Sequence, residues 1–191
     1  MALILVGGQT KDIGKTTLVC NILKAFPNVN WIALKITTHS HEVHGCNLRA
    51  EAPGWRLWEQ AQNGVNSDTA RFVSAGARHA FLLQLDSKNM NQSCLEAFER
   101  FPPATHIIVE STSAAEFLRS DFSVLAINLK RADFKSAARE QLRRVDAIVC
   151  NGRPEQASRR FPGMPVFEAT PELLDPRLRA LLVPVLTPTG N

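Results

Sequence analysis

The feature that most constrains this chain is a glycine-containing polar loop near its start, set between an apolar run and an apolar helical segment. The run is Ala-Leu-Ile-Leu-Val over residues 2–6, and residues 7–17 read Gly-Gly-Gln-Thr-Lys-Asp-Ile-Gly-Lys-Thr-Thr. Glycine lets the backbone turn tightly with its N–H groups pointing inward, and the N-terminus of the following helix adds a partial positive charge. This strand–loop–helix order predicts a cradle for phosphate groups.

The expected ligand of this loop is a purine nucleoside triphosphate, ATP or GTP, together with Mg²⁺. Lys15 is expected to reach the β- and γ-phosphates as a catalytic group, and the Thr16 hydroxyl to bind Mg²⁺. In the common form of this loop, four residues separate the two glycines, which would place the first glycine at position 9. Position 9 is Gln here, and five residues separate Gly8 from Gly14, so this loop is one residue longer. Binding without efficient hydrolysis is an open alternative, because a motif and a chemistry are separable. The predicted nucleotide-binding residues of the loop are Gly8, Gln9, Thr10, Lys11, Asp12, Ile13, Gly14, Lys15, Thr16 and Thr17.

Apolar runs of strand length recur along the chain with helix-like segments between them. The runs lack polar alternation, as expected for parallel strands whose two faces are both covered by helices. Strands are predicted at 2–6, 31–36, 80–85, 106–109, 124–127, 147–150 and 165–167, and helices at 15–26, 68–75, 92–101, 114–119, 134–143 and 175–182. The pattern predicts an α/β fold, a doubly wound and mostly parallel sheet of six or seven strands with helices on both faces.

We expect residues 1–191 to form a single domain, interrupted by an irregular loop at about 37–66 that fits no regular period. The net charge of +4 comes from scattered basic residues, which does not indicate nucleic-acid binding. No apolar run approaches the roughly 18–20 residues needed to span a membrane, so no membrane partner is expected. The cysteines show no paired spacing, which favours a reducing cytoplasm.

The long spacing of the loop resembles dethiobiotin synthetase and cobyrinate amide synthase, ATP-dependent proteins whose loops have five residues between the two glycines. The wider chain resembles molybdopterin-guanine dinucleotide biosynthesis protein B, a GTP-binding protein. The matching pieces are Lys35 at the end of a strand, His39 in the next loop, and the segment Asn-Ser-Asp-Thr-Ala-Arg-Phe-Val-Ser-Ala-Gly-Ala over residues 66–77. The resemblance covers roughly the first 110 residues. It implies a P-loop nucleoside triphosphate hydrolase fold, a role in nucleotide attachment to the molybdenum cofactor, and a homodimer.

Three residues outside the loop are candidate site residues. These families carry a strand ending in Val-Glu-Gly whose glutamate is placed for Mg²⁺, and this chain has Glu110 there, followed by Ser111 in place of glycine. A carboxylate at that end of a parallel strand faces the ligand crevice, although an exposed strand end is the alternative. Lys35 resembles the synthetase lysine that helps hold phosphate, and otherwise would be a surface lysine. Asp68, at the start of a predicted helix, is a candidate for orienting water or Mg²⁺.

Asn151, after a late strand, is the candidate for recognising the base. The pattern typical of guanine recognition, Asn-Lys-x-Asp, is absent, because the sequence continues Gly152-Arg153-Pro154. ATP and GTP therefore both stay open, and a simple Asn-Gly turn is the alternative interpretation.

A cluster of metal-binding residue types follows the second predicted strand, at His39, His41, His44 and Cys46. Such ligands suit Zn²⁺ or Ni²⁺, while the other interpretation is a polar substrate loop. The sequence thus leaves three functions open. The first is Mg²⁺-dependent nucleotide binding and hydrolysis, and the second is a nucleotide-switched adapter or metal-delivery protein that uses the 39–46 loop to bind a partner protein. The third is an ATP-dependent ligase resembling dethiobiotin synthetase.

Overall fold

The computed structural model describes residues 1–38, 43–61, 67–86, 88, 90–101 and 106–187. Nine strands of this part form one sheet: β1 Leu3–Gly8, β2 Trp31–Thr37, β3 Cys46–Ala52, β4 Trp55–Gln60, β5 His79–Leu85, β6 His106–Glu110, β7 Phe122–Asn128, β8 Ala147–Asn151 and β9 Val166–Glu168. The helices are α1 Lys15–Ala25, α2 Asp68–Ser74, α3 Met90–Phe98, α4 Ser136–Leu142, α5 Pro154–Arg160 and α6 Pro176–Leu186, with a 3₁₀ turn at Ser113–Glu116.

The strand order is β3-β4-β5-β2-β6-β1-β7-β8-β9. Each pair of neighbours in the part β5-β2-β6-β1-β7-β8-β9 is parallel, whereas β4 pairs antiparallel with both β3 and β5. Strand β1 is buried along its whole length: Ile4 and Val6 pack with α1, α2 and α6, while Leu3 and Leu5 pack on the other face with α3. Helices α4 and α5 cover β7 and β8 on that second face. The predicted doubly wound α/β fold is confirmed.

The predicted strand number was too low, and the irregular loop predicted at about 37–66 is wrong for residues 46–60. That segment forms the β3–β4 hairpin, with Gly54 at a φ of 96° in its turn. The hairpin lies at the sheet edge, where β3 is mostly exposed and the buried residues of β4 are Trp55, Leu57 and Gln60. An edge strand needs few apolar residues, so it shows no continuous apolar run to read from the sequence. Helix α5, which is mostly polar, was also not predicted.

Parallel pairing brings the C-terminal ends of β1, β6 and β2 to one edge of the sheet. Val6 of β1 lies beside Glu110 of β6, and Glu110 lies beside Lys35 of β2. The predicted phosphate loop follows β1 directly, so it reaches the same edge as these two charged residues. Within the described ranges, no helix is long and apolar enough to cross a membrane.

Candidate functional site

The loop between β1 and α1 curls back on itself at Gly8. A β-carbon at Gly8 would lie 2.5 Å from Ile13 Cγ2, so only glycine fits there without a shift of Ile13 or Lys15. Gly14 precedes α1 with a φ of 93°, and no side chain caps this helix. The first N–H groups of a helix have no partner within the helix. The N–H groups of the first turn of α1 therefore face the loop as available donors.

The Lys15 side chain lies over this loop, with its Nζ 3.4 Å from the Thr10 carbonyl oxygen. Burial lowers the pKa of Lys15, partly opposed by Glu110 and reinforced by Lys35. Lys11 and Asp12 are exposed at the loop tip, where Asp12 adopts a φ of 55°. The arrangement of an amide-lined turn under an ammonium group can bind an anion such as a phosphate.

Two of the predicted binding residues, Gly8 and Gln9, use their backbone groups within the fold. The Gly8 N–H donates to Thr112 Oγ1 at 3.0 Å, and the Thr112 hydroxyl donates to the Gly8 carbonyl at 3.1 Å. The Gln9 N–H donates to the Ala126 carbonyl at 2.8 Å. The structure thus places both residues at the base of the loop. Thr112 was not identified from the sequence, because it lies 104 positions away.

The Gln9 side chain is buried and braces the loop from below. Its amide nitrogen donates to the Arg131 and Asp133 carbonyls, each at 3.0 Å, and its oxygen accepts the Asn128 N–H at 2.8 Å. The connection between β7 and α4 is therefore fixed against the loop, and Arg131 also donates to the Lys11 carbonyl at 3.4 Å. We assign Gln9 a supporting role for the shape of the loop.

Four polar residues from four different elements meet beside the loop. The Thr16 hydroxyl donates to Glu110 Oε2 at 2.8 Å, and Lys35 Nζ lies 3.7 Å from Glu110 Oε1. Lys35 also forms an ion pair with Asp68, the first residue of α2. The structure thus brings Thr16, Lys35, Asp68 and Glu110 together, all of which were singled out in the sequence.

The charges of this cluster depend on one another. Glu110 is only 4% exposed, and burial raises its pKa although Lys35 opposes the shift. For Lys35, burial acts to lower the pKa, but Glu110 and Asp68 outweigh it and the net shift is upward. For Asp68, burial acts to raise the pKa, but the contact with Lys35 outweighs it and the net shift is downward. Lys35 and Asp68 therefore stay charged, and Glu110 is the carboxylate that gains most from an added cation.

The Thr16 hydroxyl and the Glu110 carboxylate fit Mg²⁺, which prefers oxygen ligands and binds to few protein groups, keeping waters and phosphate oxygens as its other ligands. The hydrogen bond between the two side chains shows that Thr16 Oγ1 and Glu110 Oε2 lie close enough together to bind one ion. Over the described residues, no group of three or more His, Cys, Asp or Glu side chains is placed to hold a metal ion by protein ligands alone.

The predicted Zn²⁺ or Ni²⁺ cluster is only partly visible, because His39 and His41 lie outside the described residues. The Cys46 thiol lies near Gln60 Oε1 at 3.6 Å and Thr69 Oγ1 at 4.0 Å, and burial raises its pKa. A thiolate is the metal-binding form of cysteine, so a raised pKa works against metal binding at Cys46. The metal site stays a prediction.

A second region of interest lies on the opposite side of the first turn of α1. Asn151, the last residue of β8, is exposed at a cavity of about 250 Å³ whose walls include Thr17 and Leu18 of α1. The far wall is the segment after β9, which Asn21 fixes by donating to the carbonyls of Thr170 at 3.0 Å and Leu173 at 3.2 Å. No sequence pattern predicts this wall, because the segment is irregular and lies about 150 positions from Asn21.

No protein-family model matches this chain, and no curated protein matches it by sequence. Solved structures match its fold. LpxK from Aquifex aeolicus, determined in complex with ATP, superimposes with a TM-score of 0.54 and 18% identity over 88% of this chain and 53% of LpxK. The Zn(II)-bound YjiA GTPase from E. coli gives 0.51 and 14% over 92% of this chain and 59% of YjiA. Bacillus subtilis MobB gives 0.51 and 17% over 99% of this chain and 100% of MobB.

This chain thus spans little more than half the length of LpxK and YjiA, and the whole length of MobB. At such identities the likeness establishes the fold. The chain has the α/β fold of the P-loop NTPases, and the resemblance to molybdopterin-guanine dinucleotide biosynthesis protein B is confirmed at the level of fold.

Proposed function

We propose that this protein binds a purine nucleoside triphosphate, ATP or GTP, with Mg²⁺ and hydrolyses it. The observation that carries the proposal is the contact of Thr16 with the buried Glu110 beside an uncapped helix N-terminus and Lys15. The loop would hold the phosphates with the N–H groups of residues 10–17. Lys15, which now rests on the Thr10 carbonyl, would turn to the β- and γ-phosphate oxygens. The fold shared with an ATP-bound protein and a GTPase supports this assignment.

Catalysis of phosphoryl transfer rests mainly on positioning and on neutralising charge. Thr16 and Glu110 would hold Mg²⁺, which would neutralise negative charge on the phosphates. Lys35, kept charged and oriented by Asp68, would face the γ-phosphate from the end of β2. Asp68 could accept a hydrogen bond from the attacking water, because one carboxylate oxygen suffices for its pairing with Lys35. The walls around Glu110 exclude solvent, which strengthens each of these interactions.

The cavity at Asn151 is where we place the purine base. An Asn side chain offers one acceptor and one donor group, so it can pair with the edge of adenine or of guanine. Apolar walls contributed by Leu18, Val149 and Leu174 suit a planar ring. Because MobB matches this chain over its full length, we propose the same pathway, nucleotide attachment to the molybdenum cofactor.

A second candidate function, a nucleotide-dependent switch that signals to a partner protein, is favoured by one observation. Gln60 at the end of β4 accepts hydrogen bonds from Ser67 at 3.0 Å and Thr69 at 2.6 Å, the residues on either side of Asp68. A movement of Asp68 on nucleotide binding would therefore be passed to the exposed β3–β4 hairpin. The ligase function, the homodimer and the cytoplasmic location stay predictions.

The test is a pair of binding isotherms for MgATP and MgGTP on the wild type and on Lys15→Ala, with phosphate release measured in the same samples. Lys24→Ala is the matched control, because Lys24 is exposed in the last turn of the same helix. We expect Lys15→Ala to weaken binding about 100-fold, since it removes charge-assisted hydrogen bonds to two phosphates. Wild-type protein that binds neither nucleotide, or Lys15→Ala that binds as the wild type does, would refute the proposal. Tight binding without phosphate release would limit it to a binding function.

A further inference from the structure

Helix α2 presents two charged side chains toward the start of α1. Ser67 caps α2, with its hydroxyl accepting the Ala70 N–H at 3.1 Å. Asp68 begins the helix and pairs with Lys35, and Arg71 follows one turn later. Residues three apart on a helix lie on the same side. The two charges therefore lie next to each other above the first turn of α1.

Arg71 reaches this turn directly, because its Nη2 donates to Thr17 Oγ1 at 3.1 Å. The Arg71 backbone is fixed, since its carbonyl accepts the Ala75 N–H at 2.9 Å and contacts Cys20 Sγ at 3.6 Å. Its neighbour Phe72 is fully buried in the core. The guanidinium thus extends from a rigid point to an exposed place beside Thr17.

The three residues of the first turn of α1 point to three different surroundings. Lys15 turns to the loop carbonyl of Thr10, Thr16 to Glu110, and Thr17 both to Arg71 and to the cavity at Asn151. Consider a nucleotide with its γ-phosphate near Glu110 and its base in that cavity. Its α-phosphate, the one attached to the ribose, must then lie beside Thr17. Arg71 therefore lies at the place of the α-phosphate.

We propose that Arg71 is a phosphate-binding residue that holds the α-phosphate of the nucleotide, an inference that rests on the proposed nucleotide-binding function. A guanidinium has five N–H donors in a planar fork that matches two phosphate oxygens, and only one of them is used by Thr17. Among the described residues, Arg71 forms no ion pair, because the nearby Asp68 is paired with Lys35. Its charge is thus available to an anion that arrives from solution.

The experiment measures the dissociation constants of a triphosphate and its diphosphate, ATP with ADP and GTP with GDP, each with Mg²⁺. The proteins are the wild type, Arg71→Met, Lys35→Met and Arg78→Met. The α-phosphate is present in both ligands, whereas the γ-phosphate is present only in the triphosphate. We expect Arg71→Met to weaken both ligands by the same factor of about 10, as for one charge-assisted pair. Lys35→Met should weaken mainly the triphosphate. Arg78, exposed just beyond α2, controls for the loss of one positive charge.

Measurements on the ligand-free protein distinguish phosphate binding by Arg71 from a purely structural role. Methionine keeps the length of the side chain, so we expect the midpoint of thermal unfolding without ligand to stay within about 2 °C of the wild type. Arg71→Lys should recover part of the affinity, because it keeps the charge without the fork. If the loss of affinity came only with a drop of several degrees, or Lys gave no recovery, Arg71 would be a structural contact of α1 and α2.

The two proposals fail in different ways. Wild-type protein that binds neither ligand would refute nucleotide binding and the role of Arg71 together. Wild-type binding that Arg71→Met leaves unchanged, or that it weakens only for the triphosphate, would overturn the α-phosphate assignment alone.

Discussion

The two sides of the first turn of α1 differ in their physical character. On the phosphate side, Glu110, Lys35 and Asp68 are packed against one another, and each of these three charges has a partner of opposite sign. On the side of Asn151 lies a cavity of about 250 Å³ whose walls are mainly apolar, although six polar side chains, two of them the carboxylates Glu168 and Asp175, also line it. A substitution in the charged cluster changes the electrostatic surroundings of every other member and of any bound phosphate, whereas removing one polar group at a cavity costs a single hydrogen bond. The phosphate side should therefore be sensitive to substitution and the base side tolerant.

The largest effect should come from Glu110→Gln, which keeps the shape of the side chain and removes its charge. We expect hydrolysis to fall by about 1,000-fold or more and nucleotide binding to lose its dependence on Mg²⁺, because the carboxylate ligand is gone. Phosphate release and a Mg²⁺ titration of nucleotide affinity measure both effects. Glu116→Gln, an exposed position in the nearby 3₁₀ turn, is the control.

Glu110→Gln also separates function from folding. Burial raises the pKa of Glu110, so its ionised form is less favourable in the folded protein than in the unfolded chain. The free variant should consequently be at least as stable as the wild type near neutral pH. An inactive variant that also unfolds at a clearly lower temperature would argue that Glu110 is needed for the fold and not for Mg²⁺.

A smaller effect is expected from Gln60→Leu, which lies on neither side but supports the phosphate side through α2. Besides its bonds from Ser67 and Thr69, the Gln60 amide donates to the Gly45 carbonyl at 2.8 Å and the Ala61 carbonyl at 3.1 Å. Loss of this buried set should lower the free energy of unfolding by about 2–3 kcal/mol. Chemical denaturation measures it, with exposed Gln92→Leu as the control.

The functional prediction for Gln60→Leu is a reduced rate of hydrolysis with an unchanged preference between ATP and GTP. Asp68 would lose its fixed position, but the Asn151 cavity would not be affected. A change in base preference would show that the two sides are coupled and would weaken the distinction between them.

How much of this molecule the sequence predicts also differs between the two sides. The phosphate side could be predicted because Lys15 and Thr16 begin the helix that follows the loop after β1, Glu110 ends the apolar strand β6, and parallel pairing brings strand ends together. The far wall of the cavity could not be read, because it depends on a long-range contact from Asn21 to an irregular segment.

The fold shows the same contrast. The buried parallel strands, such as β1 and β6, carry continuous apolar runs and were predicted within two residues at each end. The β3–β4 hairpin was predicted as an irregular loop because one of its strands is exposed at the sheet edge and has little apolar pattern. The hydrogen-bond partner of Gly8, Thr112, likewise follows from packing and not from local spacing.

The smallest effect should come from Asn151→Ala, which sharpens the comparison because it changes only the base side. Loss of one hydrogen bond to the base should weaken binding of the preferred nucleotide by about 3–10-fold and reduce the ATP-to-GTP discrimination. Inorganic tripolyphosphate, which has no base, should bind the variant and the wild type equally, and the rate of hydrolysis at saturation should stay the same. Asn47→Ala, exposed on the edge strand β3, is the control. If tripolyphosphate affinity fell together with nucleotide affinity, Asn151 would act on the phosphates, and the division of the site into a charged side and an apolar side would be wrong.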